Sequence, residues 1–506
     1  MSIQRYPIGL QDFSEVITRG CVYVDKTHFV HQLLTTHKYY FLSRPRRFGK
    51  SLLISTFDYL LRGHKELFEG LYIYDKWVFE EYPVIRITFS DIGYRTSNLT
   101  DAINKRLDEI ADRYGISLNE TEIDKQFREL IHQLHKKFNQ QVAILIDEYD
   151  KPIIDYLDKE NQHIAIENRR ILKSFYSILK DADPYLKIVF ITGVSKFSQV
   201  SIFSDLNNLN DISLVLAYNA ICGISQEELE TNFSKELELY NKAEIKEWYN
   251  GYRWNINAST VYNPFSLLNF FDSGGDFFNY WYVTGTPTFL IQKSREEGLY
   301  EIDRVTASQF WLNSFDVENI AIIPILFQTG YLTIVEKEKT FGDYVLSFPN
   351  KEVKQAYLER LSDAFLHTNT NLSKTVLDRL LKALLAKDEK ELTAAINLAF
   401  SQLPYDLWQK ENEKFYHAIV HLLFSLLGVY VESEVHSERG RADIIIHYHN
   451  NVYCLEFKLD KSAEEAIAQI EERGYLDKYN GSNKTLHKIG INFSSAEKKV
   501  EKISWV

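Results

Sequence analysis

The passage from Tyr39 to Leu61 restricts the fold more than any other. An apolar run, Tyr39-Tyr40-Phe41-Leu42, leads into SRPRRFGKSLL (Ser43 to Leu53), and a helical spacing of Leu52, Leu53, Phe57, Leu60 and Leu61 leads out of it. This reads as strand, tight loop, helix, with Gly49-Lys50-Ser51 at the helix start. The first amides of a helix have no intrahelical partner and the macrodipole is positive there, so such a loop gathers phosphate oxygens. Lys50 is placed to reach β- and γ-phosphates and the Ser51 hydroxyl to ligate Mg²⁺, with Arg46, Arg47, Phe48 and Gly49 completing the cradle. The pattern departs from G-x-x-x-x-G-K-[ST] at its first position, where Arg44 replaces glycine and Pro45 follows. A basic turn capped by Gly49 is the plainer alternative.

A partner motif stands about a hundred residues further on. Val142-Ala143-Ile144-Leu145-Ile146 is an unbroken apolar run ending in Asp147-Glu148. A strand buried on both faces of a parallel sheet reads this way, and carboxylates at its C-terminal end lie where open α/β sheets bind ligands. Asp147 is therefore the candidate group for the magnesium shell and Glu148 the candidate base that orients an attacking water. The strand pattern Val84 to Phe89, helical patterns near Leu99 to Tyr114, Lys125 to Phe138 and Asn168 to Lys180, and the strand Leu186 to Thr192 extend the alternation. A parallel sheet with helices on both faces is expected.

With 506 residues the chain has room for about three domains. Its 45% hydrophobic and 25% charged content is ordinary for a folded protein. A net charge of −12 argues against coating nucleic acid through an overall field, so any DNA contact must be a local patch. Cys21, Cys222 and Cys454 are too far apart to suggest a disulfide framework or zinc ribbon, which fits a reduced, cytoplasmic setting. MSIQRYPIGLQDFSEV lacks the features of a signal peptide, and no apolar run is long enough to span a bilayer, so no membrane partner is expected.

In the middle of the chain, Ser225 to Arg253 reads as a helical lid. Beyond it come a helix near Ile323 to Gln328, strands Tyr331 to Val335 and Tyr344 to Phe348 around Glu336-Lys337-Glu338-Lys339, and a helix from Lys351 to Leu361. Helix, hairpin, helix resembles a winged-helix module, which serves either to bind DNA or as a rigid spacer. Ser373 to Leu403 reads as a helical connector.

A second chemical constellation lies near the C-terminus. Strands Asp443 to Tyr448 and Val452 to Lys458 flank Asn450-Asn451, a two-residue turn candidate. Centring the turn there sets Asp443 opposite Lys458 and diagonal to Glu456, all on one face, with Tyr453, Leu455 and Phe457 on the other. Two carboxylates and a lysine are the groups of a metal-dependent phosphodiesterase. Asp443 and Glu456 would hold Mg²⁺ or Mn²⁺, and Lys458 would orient the nucleophile or stabilise developing charge. A salt-bridged hairpin end is the plainer alternative. Glu413 and Glu434 are candidate extra ligands, each more simply read as a solvated carboxylate.

The segments YVDKT (Tyr23 to Thr27), RPRRFGKS (Arg44 to Ser51), ILIDEYDKPI (Ile144 to Ile153), ITGVSKFS (Ile191 to Ser198) and YNPFSLLNF (Tyr262 to Phe270) resemble those of the predicted AAA-ATPase-like proteins of bacteria. GRAD (Gly440 to Asp443) with Glu456-Phe457-Lys458 resembles the PD-(D/E)XK nuclease pattern that such proteins carry C-terminally, here with Ala442 in place of proline. The resemblance implies ATP as the nucleotide, Lys26 near it, and Thr192 or Ser195 as a sensor of the γ-phosphate. It also implies Gln469 and Tyr475 as the extension of the nuclease motif. The layout expected is a P-loop domain over 1–222, a lid over 223–300, a winged-helix-like module over 301–370, a connector over 371–408 and a restriction-endonuclease-like α/β domain over 409–506. The expected activity is an ATP-binding, ATP-hydrolysing protein whose nucleotide state controls a metal-dependent DNase, in defence or DNA processing, with RNA left open as a substrate. The rival is a nucleotide switch whose nuclease-like domain only binds a partner. A ring of like subunits is a further arrangement that this class of ATPase suggests.

Overall fold

The structure is a computed structural model, and it describes residues 5–196, 202–203, 206, 208–281, 288–297, 302, 304–313, 318, 320–366, 370–401, 419–424, 430–437 and 440–506. The chain forms two compact units, Met1–Thr286 with Asp303–Val353, and Pro287–Ile302 with Lys354–Val506. No helix among the described residues is long and apolar enough to cross a membrane.

The first unit is built on a parallel sheet of β1 (Tyr39–Ser43), β2 (Val84–Thr88), β3 (Val142–Asp147), β4 (Leu186–Gly193) and the short β5 (Asn210–Asp211). Their order is β2-β3-β4-β1-β5, and every pairing is parallel. All residues of β1 and β3 are buried, which is why both read as unbroken apolar runs. Helices α1 (Phe13–Thr18) and α2 (Thr27–Thr36) precede β1, and between the strands run α3 (Lys50–Leu61), α4 (Leu99–Arg113), α5 (Ile123–Phe138), α6 (Lys151–Ile154) and α7 (Gln162–Ser177). The expected alternation of strand and helix is present. Because β4 separates β1 from β3, the loop after β1 and the carboxylates after β3 face each other across the end of β4.

The stretch after β5 holds the helices Gln226–Asn232, Ser234–Leu237, Lys242–Tyr249 and Pro264–Asp272, gathered on an aromatic-rich core that includes Phe233, Tyr249, Tyr262, Phe270 and Phe271. The first of these begins with a full capping box, Ser225 and Glu228 exchanging bonds with each other's amides. Next follow β6 (Val305–Ala307), the helix Ile322–Gln328, β7 (Thr333–Lys337), β8 (Tyr344–Ser347) and the helix Lys351–Leu366. The three strands make a small antiparallel sheet, β6-β8-β7. Arg253 is structural, donating to the carbonyls of Ile334 (2.6 Å) and Val335 on β7.

The second unit contains a mixed five-stranded sheet in the order β13-β12-β11-β10-β9, from β9 (Tyr430–Ser437), β10 (Gly440–Tyr448), β11 (Asn451–Leu459), β12 (Thr485–Ser494) and β13 (Lys499–Trp505). The helix Ala463–Arg473 carries the chain from β11 to its parallel neighbour β12. One face of the sheet, with Ile444, Ile446, Tyr453, Leu455 and Phe457, shares a core with Val376, Leu380, Leu384, Leu392, Ile396 and Phe400. The helices Thr370–Ala386 and Glu389–Phe400, which read from sequence as a connector, thus pack on this sheet. Asn397 fastens them by exchanging two hydrogen bonds with the Val500 backbone, at 2.7 and 2.9 Å.

The hairpin β10–β11 corrects one expectation. Tyr448 pairs with Asn451 and Ile444 with Leu455, so the turn is His449-Asn450 and the next pair outward sets Asp443 against Glu456, not Lys458. His449 takes the left-handed backbone, φ 49°, that the tight turn needs. Moving the turn by one residue moves the pairing by two, so the face carrying the three charged groups is unchanged.

Candidate functional site

In the first unit, Gly49 precedes α3 with φ 93°, a left-handed conformation natural to glycine, and the site of an added Cβ there is open space. Lys50 is the first residue of α3. Its ammonium is buried and bonds the carbonyls of Arg44 and Pro45, each at 2.9 Å, so the loop curls around it. Burial pushes the Lys50 pKa down, against the pull of Asp147 and Glu148, which lie near enough to act on it.

Arg44, the departure from the expected glycine, is fully buried. Its guanidinium bonds the carbonyls of Ser43 and Ser213 (both 2.8 Å) and Tyr218 (3.0 Å), and lies 3.9 Å from the centre of the Trp254 ring. Burial pushes its pKa down to about 10. The side chain therefore ties the loop to the strand end and to the segments of Ser213, Tyr218 and Trp254, and the loop keeps its shape without the first glycine. Phe48 packs edge-on against Tyr252 and Trp254. Arg47 stacks on Phe265 and donates to the Tyr280 carbonyl (3.0 Å), while the Arg46 carbonyl accepts from the Trp281 indole (3.4 Å).

Asp147 ends β3 and is fully buried. Its Oδ1 accepts from the Thr192 hydroxyl at 2.7 Å, and its Oδ2 has no hydrogen-bond partner. A carboxylate oxygen buried without a partner is costly unless something binds it, and a hard cation fits that need. Thr192 thus aims the Asp147 carboxylate from β4, a contact that the resemblance did not suggest. Glu148 follows with φ 54°, a left-handed backbone uncommon outside glycine, and its side chain is half-buried. Ser195 bonds the buried Asp150 by both its amide and its hydroxyl, each at 2.6 Å, so Asp150 fixes the loop after β4. Gly193 allows this approach, because a Cβ there would fall 2.5 Å from Tyr149 and 2.8 Å from Asp150.

Beside Gly49 opens a cleft lined mainly by apolar groups, among them Tyr23, Val24, Leu52, Ile221, Cys222 and Leu268. Its position against the start of α3 suits a flat base attached to phosphates on the loop. Lys26 lines the cleft, with its ammonium bonded to Glu228 (2.6 and 2.7 Å) and to the Ala220 carbonyl (2.8 Å). Asp25, one residue before the N-cap Lys26, accepts from the Thr27 amide at the start of α2 (2.8 Å). Apart from Lys26 and the loop itself, sequence reading did not find this cleft, because single apolar residues from distant segments leave no local pattern.

In the second unit, Glu456 and Lys458 project from β11 and are buried; Asp443 is half-buried on β10. Asp443 Oδ2 accepts the Phe457 amide at 2.8 Å. Glu456 Oε1 accepts from Lys458 (3.2 Å) and from Gln469, whose amide also reaches the Tyr475 hydroxyl (3.2 Å). Glu456 Oε2 is buried with no partner. Burial, then the neighbouring Asp443 charge, pushes the Glu456 pKa up to about 7. Two carboxylates that repel each other, one with an orphaned oxygen, fit a divalent cation. Among the described residues no group of three or more His, Cys, Asp or Glu is gathered as a metal cage. Glu413 and the side chain of Glu434 lie outside the described residues.

Gly490 is the element that sequence reading missed here. It pairs with Glu456 across β11–β12, and a Cβ on it would fall 2.1 Å from the Ala463 carbonyl oxygen. The bare backbone lets the helix Ala463–Arg473 approach closely enough to bring Gln469 onto Glu456.

The comparisons with known proteins agree with this geometry. Residues 7–203 match the family model described as predicted AAA-ATPase, and residues 411–503 match that of the PD-(D/E)XK nuclease superfamily. The chain is 37% identical over 514 residues, covering 99% of this chain and 98% of the relative, to an uncharacterized protein in the vnfD 5' region of Azotobacter chroococcum mcd 1. No solved structure matches it. The chain belongs to the family of predicted AAA-ATPases that carry a C-terminal domain of the PD-(D/E)XK nuclease superfamily.

Proposed function

We propose that the chain binds and hydrolyses ATP in its first unit and that its nucleotide state controls a metal-dependent DNase in its second. The observation that carries the reading is the pairing of two sites in one chain. Each has a buried carboxylate oxygen without a partner, Asp147 Oδ2 and Glu456 Oε2, and each has a lysine within the same site. In the first, the α3 amides and Lys50 hold the phosphates, the apolar cleft takes the base, and Ser51 and Asp147 hold Mg²⁺. Thr192 keeps Asp147 aimed, and Glu148 orients the water that attacks the γ-phosphate.

In the second, Asp443 and Glu456 hold Mg²⁺ or Mn²⁺, Lys458 steadies charge on the phosphodiester, and Gln469 fixes the Glu456 carboxylate. The chemistry such a cation would supply is a more acidic water and neutralisation of phosphate charge. The substrate is DNA, with RNA as the alternative polynucleotide. Plasmid cleavage in Mn²⁺ by wild-type and Glu456→Ala proteins tests the nuclease half: wild type cuts and the variant does not. Cutting by neither protein defeats this half. A second reading, a nucleotide switch whose second unit only binds a partner, is favoured by one observation: the described residues bring just two carboxylates to the second site. It predicts ATP binding, slow turnover and retained cellular function in an Asp443→Ala/Glu456→Ala protein.

A further inference from the structure

The phosphate loop is buttressed by residues far from its own motif. Arg47 holds a left-handed backbone, φ 69°, which a non-glycine residue keeps only when its surroundings enforce it. The enforcing contacts are the Phe265 ring, 3.9 Å from the guanidinium, and the carbonyls of Tyr280 (3.0 Å) and Trp281 (3.4 Å). The Trp281 indole N–H completes the clasp on the Arg46 carbonyl at 3.4 Å. The Tyr280–Trp281 segment is itself held by Glu352, whose Oε1 accepts the Trp281 backbone N–H at 2.8 Å.

Glu352 is fully buried, and its second oxygen has no hydrogen-bond partner. The Ser266 hydroxyl, the Tyr280 backbone and the Arg47 guanidinium lie close enough to act on that carboxyl, and each favours its charged form against the cost of burial. A carboxyl kept in such a place contributes less to stability than an apolar side chain of its size would, so packing alone does not account for it. It stands in the first turn of the helix Lys351–Leu366, about three hundred residues along the chain from the loop it supports.

We propose that Glu352 is a positioning residue for the phosphate loop, fixing the Tyr280–Trp281 segment onto which Arg46 and Arg47 dock. The loop amides and Lys50 are thereby held in their phosphate-binding arrangement before nucleotide arrives. This deepens the ATP-binding reading above and rests on it. The helix that bears Glu352 continues past residue 353 into the second unit, so the residue that steadies the loop also lies on the segment joining the two units.

The test is calorimetric ATP affinity, with turnover at saturating ATP, for wild type, Glu352→Gln, Glu352→Ala, Arg47→Ala and the Glu352→Ala/Arg47→Ala double variant of the full chain. Glu352→Gln retains an acceptor for the Trp281 amide and is expected to bind within about twofold of wild type. Glu352→Ala is expected to weaken binding about tenfold, and the double variant to bind no more weakly than Arg47→Ala alone. Wild-type affinity in Glu352→Ala, or losses that multiply in the double variant, overturns the proposal. If Glu352→Ala does not fold, Trp281→Phe, which deletes the indole bond to Arg46 and trims the ring packed on Tyr331, is expected to weaken ATP binding about threefold; unchanged affinity there overturns it equally. A wild-type protein that binds no ATP defeats the nucleotide reading itself, and this proposal with it.

Discussion

Thr192 and Asp147 illustrate how one hydrogen bond sets the chemistry of the first site. The Thr192 hydroxyl occupies Asp147 Oδ1 and leaves Oδ2 as the oxygen available to a cation. In Thr192→Val both oxygens would be buried without a partner, at a cost of about 1–3 kcal/mol. The expected result is ATP turnover reduced about tenfold at saturating ATP, with affinity for ATP little changed; equal losses in both would place Thr192 in ground-state binding instead. Glu352 supplies a prediction of a different kind. Burial raises its pKa to about 8, above its ordinary value, so the folded state holds a proton that the unfolded state has lost at neutral pH. Its contribution is therefore fully present below the ordinary carboxyl range and is lost as pH rises toward about 8. Thermal melts at pH 6 and pH 8.5 should show wild type losing more stability with rising pH than Glu352→Gln does. Parallel losses would mean that this carboxyl does not titrate with folding.

The same reasoning at the second site links metal to proton. Burial, then the Asp443 charge, pushes the Glu456 pKa up to about 7, so a cation arriving below that pH is expected to displace a proton from the pair. Mn²⁺ affinity is expected to rise about tenfold per pH unit below 7 and to level off above it, as read by titration calorimetry. A flat profile would remove the Asp443–Glu456 pair as the ligand set.

At the scale of elements, the helix Ala463–Arg473 and β12 depend on a single missing side chain. Gly490→Ala sets a methyl group 2.1 Å from the Ala463 carbonyl oxygen, so the helix must move and Gln469 with it. The second unit should lose about 2–4 kcal/mol and metal-dependent cutting should fall, while ATP binding by the first unit is unchanged. Wild-type stability in this variant would show that the helix approaches less closely than described. Sequence pattern disclosed the strands that are buried on both faces, β1 and β3, because burial there erases alternation and leaves a visible apolar run. It disclosed the face of the β10–β11 hairpin but not its register, since a two-residue slip preserves the face, and the parallel pairing of β11 with β12 leaves no local mark. Lys50, Asp147, Asp443, Glu456 and Lys458 stand out as candidates in the sequence because each lies within a short motif. The cleft beside Gly49, the Arg44 anchor and Glu352 do not, because each is assembled from residues far apart in sequence.

At the scale of the whole molecule, the chain passes from one unit to the other more than once. Residues 287–302 belong with the C-terminal unit, 303–353 return to the first, and the helix Lys351–Leu366 leaves it again. Such interleaving means that neither unit is a simple appendage to be cut from the other, and the account is best tested on the full chain. Its central claim is that ATP held at Lys50 governs cutting at Glu456 and Lys458. The most direct measurement is cleavage of plasmid and single-stranded DNA in Mn²⁺, with and without ATP, by wild type, Lys50→Ala and Lys458→Ala. The account predicts cutting that responds to ATP in wild type, loses that response in Lys50→Ala and vanishes in Lys458→Ala. Cutting that persists in Lys458→Ala, or no cutting by any of the three while wild type binds ATP, would contradict it.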